Sequence, residues 1–202
     1  MKKLLTVCVL CCLMATGAFA RNYENRKIVV AGQGGVFVPT EDYMDFDSKV
    51  GAFGIIDGQF FFNDYIGVGT YAMWSGYRTE DVTVAGVEYE RDITSGMFGV
   101  SVIGRFPINK MDFYALAGVS YVYNDYEIES ETAGVTTTRS QDDNGLAYRA
   151  EIGARYYVWR TLSVGGSFGY IVNEMDVKDL SGVKHTEKMN GFYGGIGAAW
   201  SF

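Results

Sequence analysis

The sequence predicts an all-β fold, an eight-stranded antiparallel up-and-down β-barrel, on three observations. Apolar residues alternate with small or polar ones along most of the chain, with the period of two that belongs to a strand with unlike faces. The chain has 26 glycines, 15 tyrosines and 13 phenylalanines but only 2 prolines, a composition that disfavours helices. Short and long connections alternate between these segments, which indicates an up-and-down barrel whose two ends differ.

The first twenty residues, MKKLLTVCVLCCLMATGAFA, are expected to be an export signal peptide (residues 1–20) rather than part of the fold. Two lysines precede an apolar run from Leu4 to about Met14, and Ala18-Phe19-Ala20 has the small residues of a cleavage site. The run is shorter than the roughly 20 residues that a helix needs to cross a bilayer. Cleavage after Ala20 would leave residues 21–202 as a single barrel domain.

This cleavage would remove every cysteine, Cys8, Cys11 and Cys12, from the mature chain. A lipoprotein signal is the alternative for these cysteines, but none follows a small residue in the usual way. Without cysteine, the mature chain can form no disulfide and no thiolate metal site. It would carry 15 basic and 24 acidic residues, a net charge of −9, because Lys2 and Lys3 leave with the signal. An acidic chain is a poor partner for nucleic acid, which requires bases that neutralise phosphates.

Eight segments have the length and alternation of barrel strands. They are residues 27–38, 50–62, 65–75, 92–106, 111–123, 145–158, 161–172 and 189–202. Three connections are predicted to be tight turns, at Asn63-Asp64, from Pro107 to Lys110, and at Trp159-Arg160. The other four are long and polar, at residues 39–49, 76–91, 124–144 and 173–188.

The predicted sixth strand has one apolar face and one charged face. Its apolar face reads Leu, Tyr, Ala, Ile, Ala, Tyr and Val at alternate positions from 146 to 158, and its other face carries Arg149, Glu151 and Arg155. A soluble barrel would bury the apolar face, whereas a membrane barrel turns it to lipid and places the polar face in the lumen. Alternation alone does not separate these two arrangements.

Three further features favour a transmembrane barrel. Aromatic residues gather near both ends of the predicted strands, as in the girdles of outer-membrane barrels. The two groups are Phe60, Phe62, Phe106, Tyr156, Trp200 and Phe202 at the short-turn end, and Trp74, Tyr121, Tyr123, Tyr170 and Phe192 toward the long loops. Closure of eight strands also removes the open edges that a bilayer does not tolerate. An export signal together with the terminal strand GFYGGIGAAWSF, which ends on an aromatic residue, fits delivery to an outer membrane.

On the signal peptide, the eight segments, the glycine-rich strands and the terminal AAWSF, the chain resembles the small OmpA/OmpX-type family of outer-membrane β-barrels. The resemblance covers the whole predicted mature chain. No periplasmic peptidoglycan-binding domain follows the predicted barrel, so the barrel-only kind is expected. The resemblance implies a location in the outer membrane of a Gram-negative bacterium, with both termini in the periplasm. It also implies contact with outer-membrane lipid and lipopolysaccharide, and with the assembly machinery through the C-terminal strand.

The polar residues expected to point inwards form a candidate lumen network. They are Gln33, Asp57, Gln59, Arg105, Asp112, Arg149, Glu151 and Arg155. Such residues could line a conducting path, but an eight-stranded barrel is just wide enough to be filled by side chains. We therefore expect a structural plug with interior ion pairs among Arg149, Glu151 and Arg155, and Arg105 opposite Asp112 across the second tight turn. Across the first and third tight turns, the faces match only if each turn has three residues or a bulge.

The long loops carry 18 of the 24 acidic residues and only seven basic ones, so their end of the barrel has a charge of about −11. Acidic loops could hold divalent cations or face basic host proteins, or simply keep the exposed end soluble. No spacing matches a calcium loop, so no metal site is predicted. Glycine-centred stretches in three loops predict hairpins that continue the strands outside the bilayer: VTVAGVEYE, EIESETAGVTTT and KDLSGVKH.

The function expected from these features is a monomeric outer-membrane barrel with a structural or surface-interaction role, such as adhesion or ligand binding. A narrow OmpW-like channel for small or hydrophobic molecules is the first alternative, and a soluble lipocalin-like binder is another. No enzyme and no cofactor are expected. The one histidine, His185, with Ser181, Glu187, Asp142 and Asp143, could serve a lipid A-modifying enzyme or protease, but nothing in the sequence fixes their geometry.

Overall fold

The computed structural model describes residues 27–40, 50–78, 82–84, 87–132, 135–178 and 184–202. The predicted signal peptide and most of the first long loop lie outside these residues. The described part of the chain includes no helix that is both long and apolar enough to cross a membrane. Its strands are β1 Ile28–Pro39, β2 Gly51–Phe61, β3 Ile66–Arg78, β4 Val82–Val84, β5 Val87–Ile108, β6 Met111–Thr132, β7 Val135–Tyr157, β8 Leu162–Lys178, β9 Lys184–Lys188 and β10 Gly191–Ser201.

Within the described ranges, eight strands close into an antiparallel barrel in which each strand pairs with its neighbours along the chain. The two short strands stand outside this circuit, because β4 pairs with β5 and β9 pairs with β8. The last strand closes the barrel by pairing with β1 on one side and β8 on the other, at Val29↔Ser201 and Trp200↔Leu162. The predicted eight-stranded up-and-down barrel is therefore confirmed.

Alternate residues of each barrel strand face outwards, and these carry the large exposed apolar side chains. Ile152, Phe168 and Val164 are 62%, 54% and 45% exposed on the outer face. Arg149 and Glu151, which alternate with the outer residues of β7, are each 3% exposed. This is the inverted arrangement of a membrane barrel, with apolar side chains outside and charges inside.

The inward face is nevertheless more apolar than the sequence alternation predicted. Two clusters of buried apolar side chains fill the barrel on either side of a charged layer, which contains Asp57, Arg149, Glu151 and Arg155. Their packing resembles the core of a soluble protein. The cluster toward the long hairpins contains Phe37, Phe53, Ile55, Tyr71, Met73, Tyr77, Ile93, Met97, Val122, Tyr126, Ala147, Ile171, Met189 and Tyr193. The smaller cluster, toward the tight turns, contains Val29, Ala31, Phe61, Ile103, Tyr114, Leu116 and Ala199.

The tight turns set the register of the strands. The first turn has three residues between Phe62 and Ile66, whose N–H···O bond is 3.0 Å long, so the faces match without a bulge. In the third turn, five residues separate the paired Tyr157 and Ser163, so inward residues of β7 again lie opposite inward residues of β8. The prediction that Arg105 pairs directly with Asp112 is wrong. The second turn contains only two residues, so the register shifts by two and Arg105 pairs with Tyr114.

Five barrel strands are longer than predicted, because the long connections continue as hairpins. Strand β6 runs to Thr132 and pairs with β7 as far as Thr132↔Val135. Strand β5 pairs with β6 as far as Glu88↔Glu131, and β8 pairs with β9 as far as Lys178↔Lys184. The three predicted hairpins are confirmed, and β4 to β7 together form a sheet that projects from one end of the barrel.

Candidate functional site

The centre of the lumen is organised by one arginine that contacts two carboxylates. Arg149, from β7, donates to Glu151 over 2.5 Å and to Asp57 over 3.4 Å, and its Nε donates to the Tyr193 hydroxyl over 2.8 Å. Its guanidinium carbon also lies 4.6 Å from the centre of the Tyr71 ring. A charge buried this deeply is tolerated only when it is paired and hydrogen-bonded, and the four contacts meet that requirement.

Glu151 is held by donors from three other strands besides Arg149. The hydroxyl of Tyr114 donates to its Oε1 over 2.9 Å, and the hydroxyl of Tyr193 donates to its Oε2 over 2.6 Å. The amide of Gln33 adds a bond of 3.2 Å to the same Oε2 and accepts one from Ser167 over 2.7 Å. The network therefore joins β1, β6, β7, β8 and β10 across the lumen.

Arg155 joins this layer without the ion pair that the sequence predicted for it. Its guanidinium donates to Oε1 of Gln59 over 3.1 Å and lies 4.3 Å from the centre of the Tyr114 ring. In the described part of the chain, the ion pairs of the lumen involve Arg149 and Arg105 but not Arg155. The oxygens of Glu151 already accept bonds from Arg149 and two tyrosines, so Arg155 contacts an amide and an aromatic face instead.

A second charged pair lies near the tight turns. Arg105 and Asp112 approach to 3.9 Å, although their strands are offset so that Asp112 pairs with Pro107. Arg105 also donates to the backbone carbonyl of Asp64 over 2.8 Å, and its guanidinium lies 3.8 Å from the centre of the Phe61 ring. This pair closes the short-turn end of the lumen and holds the first turn to it.

A buried amide layer near the hairpin end was missed by the sequence analysis. The Oδ1 of Asn124 accepts bonds from Ser95 over 2.7 Å and from Asn173 over 2.9 Å. The Oδ1 of Asn190 accepts a bond from the backbone N–H of Asn173 over 3.1 Å. In β6 the even-numbered residues, such as Asp112, point inwards, and Asn124 continues this alternation. The sequence analysis ended the strand at residue 123 and therefore placed Asn124 in a loop.

A small cavity lies beside the charged residues of the lumen. It has a volume of about 20 Å³ and is bordered by Gln33, Asp57, Tyr114 and Arg155, among other residues. That is room for about one water molecule. Buried side chains occupy the described barrel interior on both sides of this cavity, with the charged residues between the two apolar clusters.

The aromatic residues predicted as girdles all lie on the outer face. Trp74 and Trp200 are 51% and 47% exposed, and Tyr170 and Phe202 are partly exposed. Neighbouring rings contact one another at both ends, with 4.7 Å between the centres of Tyr170 and Phe192 and 6.5 Å between those of Trp200 and Phe202. Trp159, in the third tight turn, is 70% exposed and extends the short-turn group.

The outer face of β6 changes from aromatic to acidic within two residues. Tyr121 and Tyr123 face outwards, and the next outward positions of the described strand are Asp125, Glu127 and Glu129. The register places Asp142 of β7 directly opposite Asp125. The acidic surface defined by Asp125, Glu127, Glu129 and Asp142 thus begins where the aromatic residues end.

The candidate catalytic residues are not brought together in the described part of the chain. Asp142 is exposed on the hairpin, and Asp143 pairs with Asn124. The side chains of His185, Ser181 and Glu187 lie outside the described part. Among the described side chains, no group of three His, Cys, Asp or Glu residues is arranged to hold a metal ion.

Comparison with known proteins identifies one family and several similar structures. The family model described as "Outer membrane protein beta-barrel domain" matches residues 6–202. The crystal structure of outer membrane protein OprG from Pseudomonas aeruginosa is similar with a TM-score of 0.63 and 15% identity, over 87% of this chain and 95% of that chain.

Two further structures are similar. A major outer membrane protein from Thermus thermophilus has a TM-score of 0.54 and 12% identity, over 87% of this chain and 99% of that chain. Neisserial surface protein A has a TM-score of 0.50 and 13% identity, over 88% of this chain and 98% of that chain. No curated protein sequence matches the chain significantly. At these identities the likenesses concern the fold alone.

Proposed function

Because the chain belongs to the outer membrane protein beta-barrel domain family, we propose that it is a surface-interaction protein that presents an acidic β-sheet outside the bilayer to basic partners. Its location is the outer membrane of a Gram-negative bacterium. Long loops of such barrels face the cell exterior and short turns face the periplasm. On that orientation the β4–β7 sheet projects from the cell surface.

The observation that carries the proposal is the acidic surface on the projecting sheet. Strand β6 continues nine residues from Tyr123 to Thr132, which corresponds to roughly 30 Å along the strand past the aromatic belt. Two like charges, Asp125 and Asp142, stand directly opposite each other in the register. Like charges in a cross-strand pair cost stability, and a basic partner would relieve that repulsion.

The sealed lumen gives less support to the channel alternative. The central ion pairs lie between two apolar clusters of buried side chains, and the cavity beside them has a volume of about 20 Å³. A narrow apolar constriction resists wetting and therefore ion passage. Binding at the projecting sheet is therefore better supported by the described residues than conduction through the lumen.

The proposal is tested by binding of a fluorescent oligolysine peptide to vesicles that carry the refolded barrel, with oligoglutamate as the probe of opposite charge. The double variant Glu127→Gln/Glu129→Gln removes two exposed charges from the acidic surface. Glu174→Gln, which removes one exposed charge at the start of the separate β8–β9 hairpin, is a control for the position of the charge, and Glu127→Gln alone matches it in number.

We expect oligolysine to bind the wild type and the control variant, and to bind the double variant several-fold more weakly. Binding should be lost in about 1 M salt, where charges are screened within about 3 Å. Equal binding of oligolysine to the wild type and the double variant, or binding of oligoglutamate, would contradict the proposal. Retained heat-modifiable gel mobility would establish that each variant is folded.

A further inference from the structure

An apolar groove with a volume of about 870 Å³ crosses the lipid-facing surface of the barrel. Its course follows the strand register, because successive lining residues are direct cross-strand partners. The row runs from β1 through β2, β3, β5 and β6 to β7, at Val30, Gly58, Thr70, Val100, Val119 and Tyr148. The groove is therefore a continuous feature of the outer surface.

The direction of the groove follows from the geometry of a tilted barrel. Five inter-strand steps of about 4.8 Å give a length of roughly 24 Å. Because the strands tilt by about 40° from the barrel axis, a row perpendicular to the strands rises along that axis. Over its length the row rises by roughly 15 Å, which is half of a hydrocarbon core of about 30 Å. The groove begins near the short-turn rim, at Ile28, and rises through about one leaflet.

Small side chains form the floor of the groove and larger ones flank it. Gly58, Thr70 and Ala117 line it. The next row of the register, on the side toward the long hairpins, carries Ile56 and Phe98, which are 60% and 55% exposed. Apart from Gln59, Thr70, Ser101 and the hydroxyl of Tyr148, the lining is apolar or glycine, which suits a hydrocarbon chain.

The lower end of the groove carries a positive charge. Ile28, which lines the groove, is preceded by the exposed Lys27. The backbone around Lys27 is fixed to both neighbouring strands, since its carbonyl accepts the Phe61 N–H over 2.7 Å and Ile28 N–H donates to Phe202 over 3.3 Å. Lysine is a common partner of phosphate groups, and its position at the rim is the depth of a lipid headgroup.

We infer that the groove binds one anionic glycerophospholipid of the periplasmic leaflet, with an acyl chain along the Val30–Tyr148 row and the phosphate at Lys27. The apolar lining selects the hydrocarbon, and the rim lysine selects a headgroup of net negative charge over a zwitterionic one. The short-turn position of Lys27 selects the periplasmic leaflet, because short turns of such barrels face the periplasm. This binding would fix one lipid to the barrel wall.

The glycines of β2 provide a matched pair of variants for a test. A Cβ added at Gly58 would meet Thr70 Oγ1 at an ordinary 3.6 Å, and one at Gly54 would meet nothing within 4 Å. Both positions face lipid on the same strand, but only Gly58 lines the groove. Gly58→Leu should therefore fill the groove without disturbing the barrel, and Gly54→Leu should add the same side chain outside it.

The experiment is native mass spectrometry of the delipidated barrel in detergent, titrated with palmitoyl-oleoyl phosphatidylglycerol or phosphatidylethanolamine. We expect one phosphatidylglycerol adduct on the wild type and on Gly54→Leu, and about tenfold weaker binding to Gly58→Leu, since each excluded methylene costs affinity. Lys27→Gln should lose the preference for phosphatidylglycerol over phosphatidylethanolamine, whereas Lys110→Gln, in the second tight turn at the same rim, should keep it.

Three results would overturn the placement of the acyl chain in the groove. The first is equal adducts on the wild type and Gly58→Leu, and the second is an equal loss on Gly54→Leu. The third is a dimer of the chain in the same spectra that Gly58→Leu abolishes, which would assign the groove to a second copy. An unchanged lipid preference in Lys27→Gln would refute the headgroup contact.

Discussion

Arg149 and Glu151 lie two residues apart on β7, on the same inward face, and form an ion pair in which each side chain is 1% exposed. Asp57, from the opposite wall of the barrel, shares the same guanidinium. Two carboxylates around one arginine would leave an excess negative charge, and Arg155, further along the same inward face of β7, supplies a second cation to the layer. The central layer of Asp57, Glu151, Arg149 and Arg155 is therefore close to electrically balanced.

Replacing Arg149 should destabilise the barrel strongly. Arg149→Met keeps most of the side-chain volume but leaves Asp57 and Glu151 buried without their shared cation. Removal of one partner from a buried ion pair typically costs about 3–5 kcal/mol. Urea unfolding in lipid vesicles should therefore show a free energy of unfolding lower by about that amount.

The control for Arg149→Met is Arg78→Met. Arg78 also forms an ion pair, with Asp92 at 2.6 Å, but the two side chains are 56% and 45% exposed. Surface pairs contribute about 0–1 kcal/mol, so this variant should unfold almost as the wild type does. Equal losses in the two variants would mean that burial does not distinguish the lumen pair.

A glycine on β8 provides the space for the tyrosine that holds Glu151. Gly169 is the register partner of Tyr193, and a Cβ at Gly169 would lie within 2.5 Å of the ring carbon Cε1. Gly169→Ala should displace the ring from Arg149 and Glu151 and cost about 1–3 kcal/mol of unfolding free energy by overpacking. Gly194→Ala is the control, because its Cβ would meet neighbours only at 3.7 Å, and a comparable loss there would argue against this role of Tyr193.

Much of the barrel wall could be predicted because membrane burial imposes a strict alternation on the outer face. The outward residues of β7 are apolar at every second position from Leu146 to Tyr156, so their pattern was unambiguous. The inward face obeys no such rule. In β2, Phe53 and Ile55 point inwards beside Asp57, and a strand with apolar residues on both faces does not reveal from its sequence how a lumen is filled.

The register and length of the strands depended on contacts between distant residues. The offset of Arg105 from Asp112 follows from a two-residue turn, because each residue added to or removed from a turn moves every later pair. The buried Asn124 was assigned to a loop because its sequence neighbours are acidic and polar. The pairing of Asn124 with Ser95 and Asp143 establishes that the strand continues, and its side-chain bonds to Ser95 and Asn173 show that its inward side remains part of the core.

The second tight turn depends on one residue with a left-handed backbone. Asn109 has a φ of 54° between the paired Ile108 and Met111. Asparagine and glycine adopt this conformation readily, whereas other L-residues incur roughly 1–2 kcal/mol. Asn109→Gly should therefore leave the unfolding free energy nearly unchanged and Asn109→Val should lower it by about 1–2 kcal/mol. Lys110→Val, at the neighbouring position, should have little effect, and a larger loss there than at Asn109 would contradict this reading of the turn.

The apolar clusters, rather than the charged layer, should keep the lumen closed to ions. Above the layer, the rings of Phe53 and Tyr193 pack at 5.0 Å, and below it Phe61 is 1% exposed against Arg105. Dry apolar constrictions block ions even where no charge stands in the way. Planar-bilayer recordings should therefore show no steady conductance for the wild type, nor for the folded fraction of Arg149→Met. A steady open level that appears only in Arg149→Met would instead identify the ion pair as the barrier, and one in the wild type would refute a filled lumen.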